Sequence, residues 1–312
     1  MICFDSLSEI KNIGKTAVAL GNFDGVHLGH QTLFKEVLNI SKKEKLIPAV
    51  FTFKNHPGQI SSDNKEKNIF KFINTDEEKK KLIEDYNIKI CFDIPFEKNI
   101  MNLTPEIFVK DILKNKLNAH YAVVGFNYKF GKHAKGDANL LKKLCDENHM
   151  GCIVCDEVRI KNQVVSSSRI RKFIENGDME QANEFLTRPY ILNGSIIKGN
   201  RLGNKLGFPT INFKPENDKI LPPNGVYFSK VVIDGIEYDG ISNLGIRPTI
   251  AGKEILAETN ILQDIGELYG KSVSLKILKF KRKEIKFKDT FDLRRQIAKD
   301  RHDAEEYFDR QI

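Results

Sequence analysis

This sequence predicts an α/β domain with a doubly wound parallel sheet, followed by an all-β domain, a small antiparallel β-barrel with a terminal helix. In the first half, apolar runs typical of buried strands alternate with amphipathic stretches of helical period, the order that produces a parallel sheet covered by helices. In the second half, short β-rich runs are separated by turns, and one helical stretch closes the chain. The 312 residues suffice for two domains of roughly 150 residues each.

The composition is that of a globular protein with a modest positive charge. Hydrophobic residues make up 40% of the chain, and 50 Lys and Arg against 42 Asp and Glu give a net charge of +8. Such a charge suits nucleic acid, membrane surfaces and phosphorylated small molecules alike. Many lysines stand in mixed-charge runs such as 76–81, which we interpret as a solvated helix face. Charge alone therefore identifies no partner.

The expected location is the cytoplasm. No apolar run approaches the length that spans a bilayer, and residues 1–15 lack the pattern of a secretory signal. We therefore expect small-molecule partners, with no nucleic acid and no membrane. The sequence leaves the oligomeric state open.

Strands and helices alternate through the first half. The predicted strands are 16–23, 46–53, 88–92, 120–125 and 152–158, and the predicted helices are 31–43, 75–86, 104–117 and 137–148. Thr104 is the expected N-cap of its helix, with Pro105 at the first helical position. Because ligands of such sheets bind at the carboxyl ends of the strands, we expect the chemistry there.

Four residues raise the question of a zinc site: Cys145, His149, Cys152 and Cys155. Residues 151–155 form an apolar strand pattern, in which positions three apart point to opposite faces. Zinc ligands at such spacing usually lie in turns. We therefore expect a strand core rather than zinc, and no disulfide framework.

The first candidate site follows the first long strand, at residues 21–30, Gly-Asn-Phe-Asp-Gly-Val-His-Leu-Gly-His. Gly21 lets the backbone approach a ligand closely, and a helix N-terminus near Gly29 offers N–H groups and a positive dipole to a phosphate. His27 and His30 can donate to the phosphate oxygens. Two surface histidines in a turn are the alternative, but the strand–helix junction favours phosphate binding.

The second half changes texture after a helical pair at 169–176 and 179–186, which Gly177-Asp178 interrupts. Arg188-Pro189 marks a break, so we predict domains at 1–186 and 187–312. Strands are predicted at 191–198, 226–233, 236–243, 255–261 and 273–280, with a last helix over 290–308. Asp234-Gly235 is a tight hairpin signal.

A glycine-rich segment at 199–212 is the second candidate site. Its glycines allow a loop to surround phosphates with backbone N–H groups. In an extended segment Thr210 and Asn212 face the same way, and their oxygens suit Mg²⁺. By composition alone, a glycine-rich turn before an edge strand is the favoured interpretation.

The first half resembles the prokaryotic FAD synthetases, a branch of the Rossmann-like nucleotidyltransferases. The similarity is carried by residues 21–31, by 52–57 (Thr-Phe-Lys-Asn-His-Pro), by 123–131 and by 166–171. It implies adenylylation of FMN with ATP, without a covalent nucleophile, with His27 and His30 acting on the triphosphate. The implied ATP contacts are Gly21, Phe23, Asp24, Gly29, Ser167, Ser168, Arg169 and Arg171, of which Arg169 could also serve the flavin. The implied flavin contacts are His56, Asn127 and Phe130, with a core role left open for Phe130.

The second half is similar to the riboflavin kinases. Gly-Phe-Pro-Thr-Ile-Asn at 207–212 is a hallmark of that family, and residues 221–227, 243–249 and 257–262 also match its pattern. The resemblance implies Glu258 as the base that deprotonates the ribityl hydroxyl, with Mg²⁺ held by Thr210 and Asn212. The implied ATP contacts are Gly199, Arg201, Gly203 and Lys205, and the implied flavin contacts are Asn243 and Arg282.

Together these similarities cover nearly the whole chain and imply a bifunctional enzyme of the riboflavin kinase/FMN adenylyltransferase family, with ATP, riboflavin, FMN and FAD as substrates and products. In three places the sequence departs from the family pattern, with Asn127 for a frequent Asp, Asn204 for a usual Arg, and Gln263-Asp264 for Asp-Phe. A flavin-binding regulator that kept the fold and a nucleotidyltransferase for another phosphorylated small molecule remain the alternatives.

Overall fold

The computed structural model describes residues 1–55, 71–197, 208, 210–215, 219–249, 252–263 and 271–310, with the backbone alone for 246–249 and 252–255. Contacts divide the chain into two compact units, Met1–Ser167 and Ser168–Ile312. The predicted domain boundary at 186/187 remains a prediction.

The N-terminal unit alternates strands and helices as its sequence pattern predicts. Its strands are β1 Ile2–Phe4, β2 Thr16–Leu20, β3 Ile47–Phe53, β4 Ile90–Ile94, β5 Ala119–Gly125, β6 Lys129–Phe130, β7 Gly136–Asp137, β8 Gly151–Cys155, β9 Arg159–Ile160 and β10 Gln163–Val164. Its helices are α1 Leu28–Glu44, α2 Asp76–Asp85, α3 Lys98–Met101, α4 Pro105–Ile107 and α5 Ala138–Glu147, and α4 continues as a π-helix over Phe108–Lys116.

Six parallel strands form the main sheet in the order β1-β4-β3-β2-β5-β8. This confirms the predicted doubly wound parallel sheet. Apolar side chains are buried on both faces, with Val18 and Leu20 in one core and Ala17 and Ala19 in the other. The strand order reverses between β2 and β5, and such a switch point is where open parallel sheets bind ligands.

Local capping explains where two of the helices begin. Thr75 and Glu78 form a reciprocal capping box at α2, and the Thr104 hydroxyl accepts from the Ile107 N–H at 3.3 Å. The predicted N-cap at Thr104 is therefore confirmed. Strand β1 was not predicted, because its three residues lie at the sheet edge and none of them is buried.

The C-terminal unit is a closed antiparallel barrel with helices at both ends of its sequence. After α6 Ser167–Asn176 and α7 Met179–Leu186 come β11 Tyr190–Ile197, β12 Thr210–Pro215, β13 Gly225–Ile233, β14 Ile236–Thr249, β15 Gly252–Ile261, β16 Ser272–Arg282 and α8 Thr290–Asp309. The barrel order is β11-β12-β15-β14-β13-β16, which confirms the predicted barrel and final helix.

Closure gives β12 two partners, β11 and β15, so the alternative that made it an edge strand is wrong. The Asp234-Gly235 hairpin is confirmed. Both residues have positive φ, 52° and 81°, which is the pattern of the two-residue turn that matches the twist of paired strands.

Within this unit, helix α7 is fastened to the barrel by the side chain of Asn183. Its Oδ1 accepts from the Tyr190 N–H at 2.7 Å, and its Nδ2 donates to the carbonyls of Ile277 at 2.9 Å and Leu278 at 3.3 Å. One amide therefore connects α7 to the start of β11 and to β16.

Replacing Asn183 by Ala is expected to lower the free energy of unfolding of the C-terminal unit by about 1–3 kcal/mol, because three backbone groups lose their partner. Urea unfolding followed by circular dichroism measures this change. Asn176→Ala, at an exposed position at the end of α6, is the matched control and should change the free energy by less than about 0.5 kcal/mol. Equal effects of the two variants would contradict the role of Asn183.

Candidate active sites

The loop between β2 and α1 is held in an unusual backbone conformation. Phe23, Gly25 and Val26 have φ values of 51°, 86° and 40°, and for a β-branched residue such as Val26 a positive φ is a clear outlier. The Gln31 amide donates to the Val26 carbonyl at 3.0 Å, with its side chain buried. The fold therefore imposes this turn, which delivers His27 to the beginning of α1.

His27 is the N-cap of α1 and packs on His30. Its Nδ1 accepts from the His30 N–H at 3.3 Å, and the two rings stack with centroids 3.6 Å apart. In the neutral ring, an accepting Nδ1 leaves the proton on Nε2, which becomes the donor. A Cβ at Gly29 would lie 3.3 Å from the His27 ring, so a glycine suits this close approach.

Asp24 and Ser167 fasten the same loop to its surroundings. The Asp24 carboxylate, which is buried, accepts from the N–H groups of Ile73 at 2.9 Å and Asn74 at 3.3 Å. The Ser167 hydroxyl donates to the Asp24 carbonyl at 2.8 Å. Both residues were predicted to contact ATP. In the structure, their hydrogen bonds hold the loop between β2 and α1 in its conformation.

The ring of Phe23 packs against His30 and lies close to Gly21. The Phe23 side chain is fully buried, with its ring 5.0 Å from Phe34 and edge-on to His30 at 5.2 Å between centroids. A Cβ at Gly21 would lie 3.1 Å from that ring. The Phe23 ring therefore belongs to the core, and only the backbone of this residue is left for the predicted contact with ATP.

Strand β5 ends next to β2 across the switch point and is followed by the loop that was predicted to contact the flavin. Asn127 is exposed there, whereas Phe130 is 6% exposed and packs between Phe108 and Tyr128, each with centroids 5.7 Å away. Burial favours the core role left open for Phe130. The exposed aromatic ring in this loop is Phe126, at 45%, which we did not single out from the sequence.

Several further predicted site residues lie on α6 or outside the described residues. Ser168, Arg169 and Arg171 occupy the start of α6 in the C-terminal unit, at a helix beginning as predicted. His56 and the loop residues Gly199, Arg201, Gly203 and Lys205 lie outside the described residues.

The mixed-charge run 76–81 is not simply a solvated face, and that interpretation is wrong for Lys79. Its ammonium group donates to the Phe53 carbonyl at 3.0 Å and to the fully buried Asp93 at 3.3 Å. Burial lowers the pKa of Lys80, but its hydrogen bonds to Asp76 and Asp93 outweigh that effect and raise it. This ion network braces the carboxyl ends of β3 and β4, and no local pattern identifies Asp93 as its centre.

In the barrel, five side chains form a row across neighbouring strands. Glu258 of β15 pairs with Asn212 of β12 on one side and with Asn243 of β14 on the other. Asn243 pairs with Val226 of β13, which pairs with Arg282 of β16. Because directly paired residues share a face of the sheet, we call these five side chains the cross-strand row.

A cavity of about 520 Å³ lies over this row. Its polar lining includes Thr210, Asn243, Glu258 and Arg282, and its apolar lining includes Val226, Ile241, Leu293 and Ile297. Helix α8 thus provides one wall and the barrel the other. The structure brings four of the residues predicted for the kinase reaction to one cavity.

Asn212 and Thr210 suit a hard cation. Within the described part of the chain, Oδ1 of Asn212 is buried and has no hydrogen-bond partner. Thr210 is two residues away on the same strand, so both oxygens face one side. Neutral oxygen donors of this kind fit Mg²⁺.

Arg282 is held at the cavity wall by α8. Its Nε lies 3.0 and 3.1 Å from the two carboxylate oxygens of Asp300, its Nη2 donates to the same carboxylate, and its Nη1 donates to the Lys283 carbonyl at 2.9 Å. Gln296 donates to Asp300 at 2.9 Å. Nothing local in the sequence pairs Gln296 or Asp300 with a strand residue, so this contact with Arg282 was not predicted.

The four residues that were considered as zinc ligands lie in a helix, a turn and a strand. Cys145 packs in one core of the main sheet with Cys152 against it, whereas Cys155 lies in the core of the opposite face. Among the described residues, no group of three or more His, Cys, Asp or Glu is arranged to hold a metal. A hydrogen bond with Cys152 and burial raise the pKa of Cys145, and burial raises that of Cys155 to about 11.

In the N-terminal unit, two histidines lie at a helix N-terminus beside the switch point of the sheet. In the barrel, a carboxylate lies between two amides. Together these two sites are typical of a two-domain, nucleotide-dependent transferase. The family model for FAD synthetase matches residues 9–169, and the model for riboflavin kinase matches 186–308. The chain belongs to the bifunctional riboflavin kinase/FMN adenylyltransferase family, and both activities of that family follow from the two matches.

Individual relatives agree over nearly full length. The bifunctional riboflavin kinase/FMN adenylyltransferase of Bacillus subtilis is 34% identical over 94% of this chain and 93% of its own, and that of Listeria monocytogenes is 33% identical over 98% and 96%. A crystal structure described as a macrolide-efflux protein from Streptococcus pneumoniae is 27% identical, with a TM-score of 0.89 over 97% of this chain and 98% of that one. Within the residues described here, no helix has the length and apolar character to cross a membrane.

We predict that the purified protein holds no stoichiometric zinc, because zinc needs thiolates gathered on one side and these cysteines are split between two cores. Elemental analysis checks the content, and a chelator should leave the melting temperature unchanged. One zinc per chain would contradict this prediction.

Proposed function

We propose that this chain phosphorylates riboflavin to FMN on its barrel and adenylylates FMN to FAD at the switch point of its parallel sheet, with ATP as the donor in both reactions. The observation that carries the proposal is the cross-strand row, which aligns Glu258 with Asn212, Asn243 and Arg282. Of these, Glu258, Asn243 and Arg282 line one cavity. The family membership supports the same two reactions.

For the kinase reaction, Glu258 is the group that accepts a proton from the ribityl hydroxyl as that oxygen attacks the γ-phosphorus of ATP and ADP leaves. Asn243 and Asn212 stand on either side of it and are placed to orient the hydroxyl and the phosphate. Thr210 and Asn212 would hold Mg²⁺, which neutralises charge on the phosphate oxygens when bound.

The cavity suits a flavin in size and character. Three strand-to-strand steps separate Glu258 from Arg282, which corresponds to about 14 Å along the sheet. Apolar side chains of the barrel and of α8 line the space between the two walls. We assign the ribityl chain to the Glu258 end and the flat ring to the Arg282 end.

For adenylyl transfer, the FMN phosphate attacks the α-phosphorus of ATP and pyrophosphate leaves. His27 offers its Nε2 proton, because Nδ1 is already the helix cap, and the first N–H groups of α1 add a positive dipole. These groups stabilise the charge that develops on the phosphate oxygens. Asn127 and the exposed ring of Phe126 are the flavin-side candidates.

The proposal also includes a functional boundary at 186/187, near the beginning of the riboflavin kinase match. It includes a cytoplasmic location and small-molecule partners alone, since riboflavin, FMN and ATP are small water-soluble molecules. The Mg²⁺ requirement belongs to the proposal as well.

Glu258→Gln should lower FMN formation from riboflavin by about 10²- to 10⁴-fold, since the amide cannot accept the proton. FAD formation from supplied FMN should persist. Chromatography of the flavins measures both. Glu237→Gln is the matched control, because Glu237 lies on the same barrel but pairs with Lys230 at 3.0 Å; a wild-type kinase rate in Glu258→Gln would remove Glu258 from this role.

His30→Ala should make FMN accumulate from riboflavin, with FAD formation reduced by about 10²- to 10³-fold, the usual loss for one donor to a developing charge. The kinase reaction of the same molecule is the internal control. If both products fall equally, the two reactions do not use separate sites.

A further inference from the structure

We propose that Asp300 is a positioning residue of the kinase cavity: it fixes the guanidinium of Arg282 so that the remaining N–H groups meet the carbonyl-bearing edge of the flavin ring. This inference rests on the proposed kinase function. It assigns a specific task to a carboxylate of α8 and a specific part of the substrate to Arg282.

Asp300 and Arg282 form a two-point ion pair at the wall of the cavity. Asp300 is 4% exposed and lines the cavity together with Arg282. Its two oxygens take Nε and Nη2 of Arg282, the two-point contact that fixes the plane of a guanidinium. Gln296 in turn donates to the Asp300 Oδ1 at 2.9 Å. The orientation of Arg282 is therefore set by α8 and not by β16 alone.

The guanidinium of Arg282 has more N–H donors than its contacts within the described residues use. A guanidinium has five N–H groups, and the bonds from Nε, Nη1 and Nη2 use three of them within the described residues. Within that part of the chain, one N–H on each Nη nitrogen is left for an acceptor in the cavity. Because a guanidinium donates but never accepts, the matching ligand atoms are oxygens or unprotonated ring nitrogens, and a flavin presents these on its pyrimidine edge.

Asp300 could either position Arg282 or only attach α8 to the barrel, and a neighbouring ion pair distinguishes the two roles. A second ion pair, between Lys281 and Asp303, joins the same strand to the same helix; Lys281 comes one residue before Arg282, and Asp303 comes three residues after Asp300. Neither Lys281 nor Asp303 lines the cavity among the described residues. If Asp300 only fastens α8, removing either pair should have the same consequences. If Asp300 positions Arg282, only its own removal should affect the flavin.

The experiment compares Asp300→Asn with Asp303→Asn in the full chain, with riboflavin as the varied substrate. The Asn side chain keeps the shape but loses the charge that holds Arg282. We expect Asp300→Asn to raise KM for riboflavin about tenfold with kcat within about threefold, because a contact to a non-reacting part of the substrate is equal in ground and transition states. Asp303→Asn should leave both constants within about twofold.

Binding of lumiflavin, a flavin ring without the ribityl chain, locates the contact. Quenching of its fluorescence should show weaker binding to Asp300→Asn, by about the same factor as for riboflavin. Unchanged lumiflavin binding would place Arg282 on the ribityl chain and overturn the assignment. In the double variant Arg282→Lys/Asp300→Asn, the effect should be no larger than for Arg282→Lys alone, since Asp300 acts through Arg282.

Two outcomes separate failure of this inference from failure of the proposed function. A wild-type chain that makes no FMN from riboflavin and ATP contradicts the proposed function itself. An active wild type whose Asp300 and Asp303 variants behave alike contradicts only the positioning role. If Asp300→Asn melts earlier than Asp303→Asn, Gln296→Met, which keeps the ion pair, replaces it; a smaller rise in the riboflavin KM supports the inference, and an unchanged KM overturns it.

Discussion

Strand register is the constraint on which the barrel site depends. The cross-strand row exists because β12, β15, β14, β13 and β16 pair so that five chosen residues meet side by side. A shift of one residue in any of these ladders would turn the shifted side chain to the other face. Closure of the barrel removes free edges and so makes each register depend on its neighbours. The spacing between base and guanidinium is thus a property of the whole barrel.

In the N-terminal unit, the positions of the candidate site residues are fixed in a different way. Parallel strands bring the loops after β2 and β5 to one edge of the sheet, but the loop between β2 and α1 contains no strand pairing of its own. Here the fixing is done by side chains: Asp24 holds the segment before α2, Gln31 holds Val26, and Lys79 with Asp93 braces the end of β3. These are buried polar contacts, which are costly to leave unpaired and therefore keep the loop in one conformation.

Local patterns predicted the elements well and long-range pairs poorly. The alternation of apolar runs, the Thr104 cap and the Asp234-Gly235 turn each depend on residues close in sequence, and each is confirmed. The burial of Lys79 was missed because Asp93 is fourteen residues away on a strand. The same limit applied to Asp300, whose partner Arg282 is eighteen residues earlier. The candidate site residues were predicted from the resemblance to known families. The residues that hold them in place were recognised only from long-range contacts in the structure.

His27 is both the residue that begins α1 and the proposed donor to the phosphate. Asn, Asp, Ser and Thr are the side chains that best begin a helix, so a sequence optimised for stability alone would replace it. Such a replacement would strengthen the helix start by some tenths of a kcal/mol to about 1 kcal/mol while removing the imidazole. The beginning of this helix is therefore a place where stabilising design and catalysis make opposite demands, and thermostable variants of this chain should be sought elsewhere.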